Sequence, residues 1–219
     1  MTGRRRTDIA GLILAGGRSR RMGGGDKALL TLGGVTLLTR VAATLAPQVG
    51  PLLLSAASDA VRGAAPGLPA VTDPLPDFAG PLAGVLAGLD WVRAKAPQCH
   101  WLISVPVDAP LLPADLVVRL AAAVEAGAGT LACARSGGRR HPVVCLWPLA
   151  LAETLAEAVL VEGVRRVAEW LGRHRLALVD WPDQPLDPFL NVNTPEDFAR
   201  LAAALAKADP GGTPGRRRG

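Results

Sequence analysis

Residues 9–17 read Ile9-Ala-Gly-Leu-Ile-Leu-Ala-Gly-Gly17 and continue through Arg18-Ser-Arg-Arg-Met-Gly-Gly-Gly-Asp26-Lys27. The stretch from Ile9 to Ala15 is apolar without a break, the pattern of a parallel strand buried on both faces. A turn rich in glycine and arginine follows it directly. Glycine lets backbone N–H groups approach an anion closely, and Arg18, Arg20, Arg21 and Lys27 add positive charge at the same place. A buried first strand running into such a loop predicts phosphate binding. The loop is not a P-loop, because Lys27 follows Asp26 and precedes Ala28 where Gly-Lys-Ser/Thr is required. A dinucleotide-type match at Gly23, Gly25 and Ala28 lies several residues beyond the strand end, and no acidic residue closes a following strand for a ribose hydroxyl. Hydride transfer is therefore the weaker reading.

Outward from this stretch, strand and helix patterns alternate. Val35–Leu45 has helical apolar spacing, Pro51–Ser55 reads as a second strand and Leu68–Thr72 as a short third. Pro81–Ala94 is helical, and Trp101–Val105 is another buried strand closed by Pro106-Val107-Asp108-Ala109-Pro110. Pro113–Ala126 reads as a helix, and Thr130–Ala134 and Pro142–Trp147 as strands around Ser136-Gly137-Gly138. Helices are expected at Leu149–Val159 and Val164–Leu171, then a strand at Leu176–Trp181. A last helix spans Thr194–Ala206, with Thr194 as N-cap and Pro195 at the first helical position. The pattern predicts a Rossmann-like α/β fold: a doubly wound, mostly parallel sheet flanked by helices. One domain is expected over residues 8–207, with a basic tail at 1–7 and a disordered Gly/Pro/Arg tail at 208–219.

The chain has 219 residues and a formal net charge of +5. Arg4–Arg6 and Arg216–Arg218 supply six positive charges at the ends, and setting them aside takes +5 to −1. The body lacks a basic stripe with interleaved aromatics, so a nucleic-acid partner is not expected. The cysteines, Cys99, Cys133 and Cys145, form no C-x-x-C pair, and the histidines have no metal-ligand spacing. This favours a reducing, cytoplasmic setting over a disulfide framework or a zinc site. The apolar run at Ile9–Ala15 is too short to span a membrane.

Ligands of doubly wound sheets bind beyond the carboxyl ends of the strands. Asp108, just after the strand Trp101–Val105, falls there and fits a hard-oxygen ligand for Mg²⁺; the competing role is capping the helix near Pro113. Asp73 follows a strand and precedes Pro74, where turn initiation is an equally physical role. Gly80-Pro81-Leu82-Ala83-Gly84 opens a helix whose N–H groups favour anions, though Gly84 also suits close packing. His141 reads as a structural histidine. Asn191 and Asn193 either cap the last helix or meet a ligand.

Five segments together resemble the molybdenum cofactor guanylyltransferases. They are LAGGRSRRMGGGDKALL at 14–30, DPLPDFAGPLAG at 73–84, PVDAPLLP at 106–113, HPVVCLW at 141–147 and FLNVNTPEDF at 189–198. The resemblance implies a magnesium-dependent nucleotidyltransferase that joins GMP, taken from GTP, to molybdopterin, with Mg²⁺ as cofactor. It implies GTP contacts from Leu14, Ala15, Gly16, Gly17, Lys27, Ser55, Asp73 and Asp108. Asp108 is also the implied metal ligand, and Lys27, Asp108 and Arg21 carry the chemistry. Gly80, Pro81, Asn191 and Asn193 fall on the implied pterin side. Transient contacts with proteins that supply or receive the cofactor are a further expectation. Two positions depart from the family pattern. Ser55 stands where asparagine is frequent and offers a hydroxyl without the amide's paired donor and acceptor. Val107 stands where cysteine is common.

Overall fold

The computed structural model describes residues 5–16, 26–72 and 80–208. In chain order its strands and α-helices are β1 (Ile9–Leu14), β2 (Thr31–Leu32), β3 (Val35–Thr36), α1 (Leu37–Leu45), β4 (Leu52–Ser55), α2 (Asp59–Gly63), β5 (Ala70–Val71) and α3 (Pro81–Lys95). There follow β6 (Trp101–Pro106), α4 (Leu116–Glu125), β7 (Leu131–Ser136), β8 (Arg139–Pro148), α5 (Ala152–Leu160), α6 (Val167–Leu171), β9 (Leu176–Trp181) and α7 (Pro195–Ala208).

Seven strands form one sheet in the order β5-β4-β1-β6-β8-β7-β9. All neighbours pair in parallel except at β8, which runs antiparallel to both β6 and β7. Every residue of β1 is buried, as its unbroken apolar run predicts. Its side chains alternate between two cores. Ile9 and Ile13 join α1 and α4 on one face, while Ala10, Leu12 and Leu14 join α3, α5 and α6 on the other. The sheet is thus covered on both sides, as a mainly parallel sheet must be.

After β1 the chain builds β4 and β5 on one side, then crosses by α3 to place β6 on the other. The crevice beyond the carboxyl ends of β1 and β6 is therefore the topological switch point, where ligands of this architecture bind. Helix α3 lies unusually close to the sheet here. A β-carbon on Gly84 would stand 2.6 Å from Leu14 Cδ2 and 2.9 Å from Ser55 Oγ. One on Gly88 would stand 2.9 Å from Leu12 Cδ2. The packing role considered for Gly84 is therefore met.

Several sequence expectations shift. The helix expected from Val35 starts at Leu37, because Val35–Thr36 pairs with Thr31–Leu32 as a hairpin across Gly33 and Gly34, which both have positive φ. The Thr36 side chain then caps α1, accepting from the Thr39 amide at 3.1 Å. Helix α4 begins at Leu116 rather than Pro113, and α6 at Val167 rather than Val164. Arg5 and Arg6 belong to the folded frame rather than to a tail. Arg5 Nε donates to the Val49 carbonyl at 2.6 Å, and Arg6 pairs with Asp8 and Glu125. Of the tail expected at 208–219, Ala208 is the last residue of α7 and 209–219 lie outside the described residues.

Candidate active site at the ends of β1 and β6

Lys27 opens a single 3-10 turn, Lys27–Leu29, just after the loop that leaves β1. Asp108 stands beyond β6, where the chain has just hydrogen bonded back to β1 through Val107 N and the Leu14 carbonyl at 3.0 Å. The fold brings these two residues together from 81 positions apart. Lys27 Nζ donates to Asp108 Oδ2 at 2.9 Å, and each side chain is 18% exposed. The same ammonium donates to Asn193 Oδ1 at 2.7 Å. A basic side chain, a carboxylate and an amide oxygen thus converge at the switch point. The alternative of Asp108 as a helix cap is not realised, since α4 begins well beyond it at Leu116.

Asn193 reaches this position through two anchors. The Val192 amide donates to the Asp108 carbonyl at 2.8 Å, with the Val192 side chain fully buried. Asp197, in the first turn of α7, accepts from the Asn193 and Thr194 amides, each at 3.0 Å. In return the Thr194 hydroxyl accepts from the Asp197 amide at 3.2 Å, a reciprocal capping box. The Asn193 amide is the chief cause that holds the Asp197 carboxyl below its ordinary range. Both roles weighed for this segment therefore coexist: Thr194 caps the helix, and Asn193 faces the site. Asn191 makes no such contact with Lys27 or Asp108 and stays half-buried.

Ser55, at the end of β4, is buried. The Ser55 carbonyl accepts from the Ala15 amide at 2.8 Å, so the Leu14 carbonyl and the Ala15 N–H are both committed within the sheet. Gly16 carries the first backbone amide beyond that ladder. On the far side of the crevice Gly80 adopts φ +83°, a region that only glycine enters readily, and Pro81 starts α3. The helix therefore begins abruptly, with its N-terminus at the sheet edge. Gly17, Arg21 and Asp73 lie outside the described residues.

Three features here were not read from the sequence. Asp26 Oδ2 accepts from the Ser58 hydroxyl at 2.7 Å, tying the start of the Lys27 turn to the loop beyond β4. Neither residue carries a local pattern for this bond. The second is a buried chain in which Ser136 Oγ lies 2.7 Å from His141 Nε2 and 2.8 Å from Asp187 Oδ1. Serine has one proton and an ionised carboxylate only accepts, so the His141 ring must donate from Nε2. Burial pushes the His141 pKa down, and its ring packs on Phe189 with centroids 4.8 Å apart. His141 is thus a structural histidine, as its sequence context suggests, and it braces the segment that leads to Asn193. The third is the bond from the Asn193 amide to Asp197: the sequence places Asp197 at the third position of the helix that Thr194 caps, but does not show that it also holds Asn193.

A hard divalent cation is compatible with this donor set. Among the described residues no three His, Cys, Asp or Glu side chains group as a metal cage. Mg²⁺ does not need one, since it binds through one or two carboxylates together with substrate phosphates and water. Asp108 Oδ2 and Asn193 Oδ1 are two hard oxygens already gathered around one positive charge.

A doubly wound sheet with a lysine and a carboxylate at its switch point is the arrangement of a nucleotide-handling enzyme. Residues 11–177 match the MobA-like NTP transferase domain. A molybdenum cofactor guanylyltransferase from a Bradyrhizobium strain is 52% identical over 95% of this chain and 99% of its own length. One from Rhodopseudomonas palustris is 50% identical over 86% of this chain and 90% of its own. The crystal structure of molybdopterin-guanine dinucleotide biosynthesis protein A from Archaeoglobus fulgidus shares the fold. Its TM-score is 0.71 at 20% identity, covering 90% of this chain and 99% of that one. The chain belongs to the MobA-like NTP transferase family, and within it to the molybdenum cofactor guanylyltransferases. Among the described residues no helix is long and apolar enough to cross a membrane.

Proposed function

We propose that this protein transfers GMP from GTP to the terminal phosphate of molybdopterin, using Mg²⁺ and releasing pyrophosphate in the cytoplasm. The observation that carries the reading is the Lys27–Asp108 pair, held at 2.9 Å in the crevice between β1 and β6. An oxygen of the acceptor phosphate forms the new bond to the α-phosphorus of GTP. The bond from that phosphorus to the bridging oxygen breaks, and pyrophosphate departs with the electron pair. The nucleophile is already an anion, so no side chain has to remove a proton. Two anions must instead be brought into line, and the residues serve to neutralise and align them. Lys27 offers a mobile positive charge to the triphosphate, and Arg21 extends it. Asp108 and Asn193 would hold Mg²⁺, which supplies charge neutralisation at the phosphates. Names of relatives at about half identity over nearly the whole chain support the guanylyl group and the acceptor. The free cysteines suit a reducing compartment.

The test is pyrophosphate release by the purified protein with molybdopterin and Mg²⁺, comparing GTP with CTP. Release with GTP, lost in Lys27→Ala and Asp108→Ala while both variants keep their fold, is the expected result. Full activity in either variant sinks the assignment of roles. A second reading, transfer of CMP, has one observation in its favour. Ser55 replaces the frequent asparagine, and its hydroxyl lies against α3 at Gly84. Release with CTP alone would establish it. Tight nucleotide binding without release would mark a binding module.

A further inference from the structure

The Lys27 ammonium stands 2.9 Å from Asp108 Oδ2 and 2.7 Å from Asn193 Oδ1. These are the oxygens to which the proposed function assigns the divalent cation. Mg²⁺ takes its oxygens at about 2.0–2.1 Å, so an ammonium bonded to both cannot remain where the cation enters. We propose that Lys27 is a built-in competitor for the metal, filling the cation site until nucleotide withdraws it. The inference rests on the metal reading above and adds a sequence of events to it.

The charges make this arrangement self-consistent. Asp108 is only 18% exposed on its side chain, so leaving its carboxylate without a counter-charge is costly. Lys27 supplies that counter-charge. Lysine is a compact charge on a flexible stem, able to swing while its backbone stays fixed. Its backbone is held here: Leu30 N donates to the Lys27 carbonyl at 3.2 Å, and the preceding Asp26 is tied to Ser58. A triphosphate lying along the glycine loop attracts the ammonium, and the vacated oxygens then accept the cation that accompanies the phosphates. Metal and nucleotide therefore raise each other's affinity by the same factor, as linkage requires. On this reading the Asp108–Asn193 oxygens open to the cation only as nucleotide draws Lys27 away.

Mn²⁺ binding, followed by electron paramagnetic resonance of the free ion, tests this in wild type, Lys27→Met and Lys27→Met/Asp108→Asn. Each is titrated with and without a non-hydrolysable GTP analogue. Lys27→Met is expected to bind Mn²⁺ without nucleotide at least about tenfold more tightly than wild type, the scale of one charged hydrogen bond. The gain should persist at about 0.5 M salt, where repulsion between separated exposed charges is largely screened. The nucleotide should also enhance Mn²⁺ affinity less in Lys27→Met than in wild type. Equal Mn²⁺ affinity in the two proteins, or a gain that disappears in salt, overturns the competition. Mn²⁺ binding that survives Asp108→Asn in the Lys27→Met background instead overturns the metal reading itself.

Discussion

Asp26 stands at the N-cap position of the turn that carries Lys27, yet its side chain caps nothing there and accepts from Ser58 Oγ at 2.7 Å. The bond joins the exit of the phosphate loop to the loop that follows β4 and Ser55. On the proposed function it places a carboxylate beside the triphosphate, where its role is to position Lys27. Asp26→Ala should lower kcat by about tenfold, the scale of one hydrogen bond to a charged group. Asp26→Asn keeps an acceptor for the Ser58 hydroxyl and should retain most activity. Steady-state kinetics with GTP decides the matter, and an Asp26→Ala enzyme as fast as wild type would refute the role.

Asp197 should matter to both stability and turnover. Asp197→Ala removes the acceptor of two backbone amides and is expected to cost about 1 kcal/mol in urea unfolding, as caps typically do. It should also reduce kcat, because the Asn193 amide loses its anchor. Thr194→Ala is expected to show a similar loss of stability with a smaller loss of rate. A stability change without any kinetic change in Asp197→Ala would remove Asp197 from the site.

Gly84 and Gly63 offer a contrast between two helical glycines. The added methyl of Gly84→Ala stands 2.6 Å from Leu14 Cδ2 and 2.9 Å from Ser55 Oγ, so these two buried side chains must shift. A cost of about 1–3 kcal/mol is expected, with weaker nucleotide binding, since both contacts end strands at the crevice. Gly63→Ala has open space around the new methyl and should be neutral or stabilising by about 0.5–1 kcal/mol. Thermal unfolding and GTP titration of the two variants provide the comparison.

Acid should weaken the fold first through its histidines. Burial pushes His141 and His174 below the ordinary histidine value, the latter aided by Arg173. In the unfolded chain they take up protons near pH 6.5, before the folded protein does, so stability falls as pH drops below that value. The loss continues until the folded-state values are passed. Ring-proton NMR titration should give midpoints below about 6.5 for both histidines. Urea midpoints should be lower at pH 5.5 than at 7.5. Midpoints at or above the ordinary value would refute the account.

Much of this architecture was legible before any coordinates. β1 and β6 are unbroken apolar runs, and a strand buried on both faces has little other way to appear. Their neighbouring loops then fall on one edge, which is why Lys27 and Asp108 were both singled out. What periodicity missed is instructive. Val35 and Thr36 continue the apolar spacing of α1, so the sequence conceals a two-residue strand; only Gly33-Gly34 marks the turn. Asp26 and Ser58, or Ser136 and Asp187, are polar residues whose partners lie far along the chain, and no local spacing encodes such pairs. The resemblance places Asn193 in the final motif, on the implied pterin side, and no local spacing encodes its contact with Lys27. The fold places its amide oxygen against Lys27.

The distance along the chain between Lys27 and Asn193 is 166 residues. A polypeptide emerging from the ribosome lays down the Lys27 turn before β4 to β9 and the Asn193 segment after them. Closing so long a loop is entropically slow, and it precedes any reward from the contacts it makes. The Lys27–Asn193 contact therefore waits for the segment that follows β9. A chain interrupted before Asn193 retains Lys27 and Asp108 but lacks the amide oxygen that meets the Lys27 ammonium. Formation of the Lys27–Asn193 contact thus reports that the rest of the main sheet has been made, because β4 to β9 all lie between the two residues.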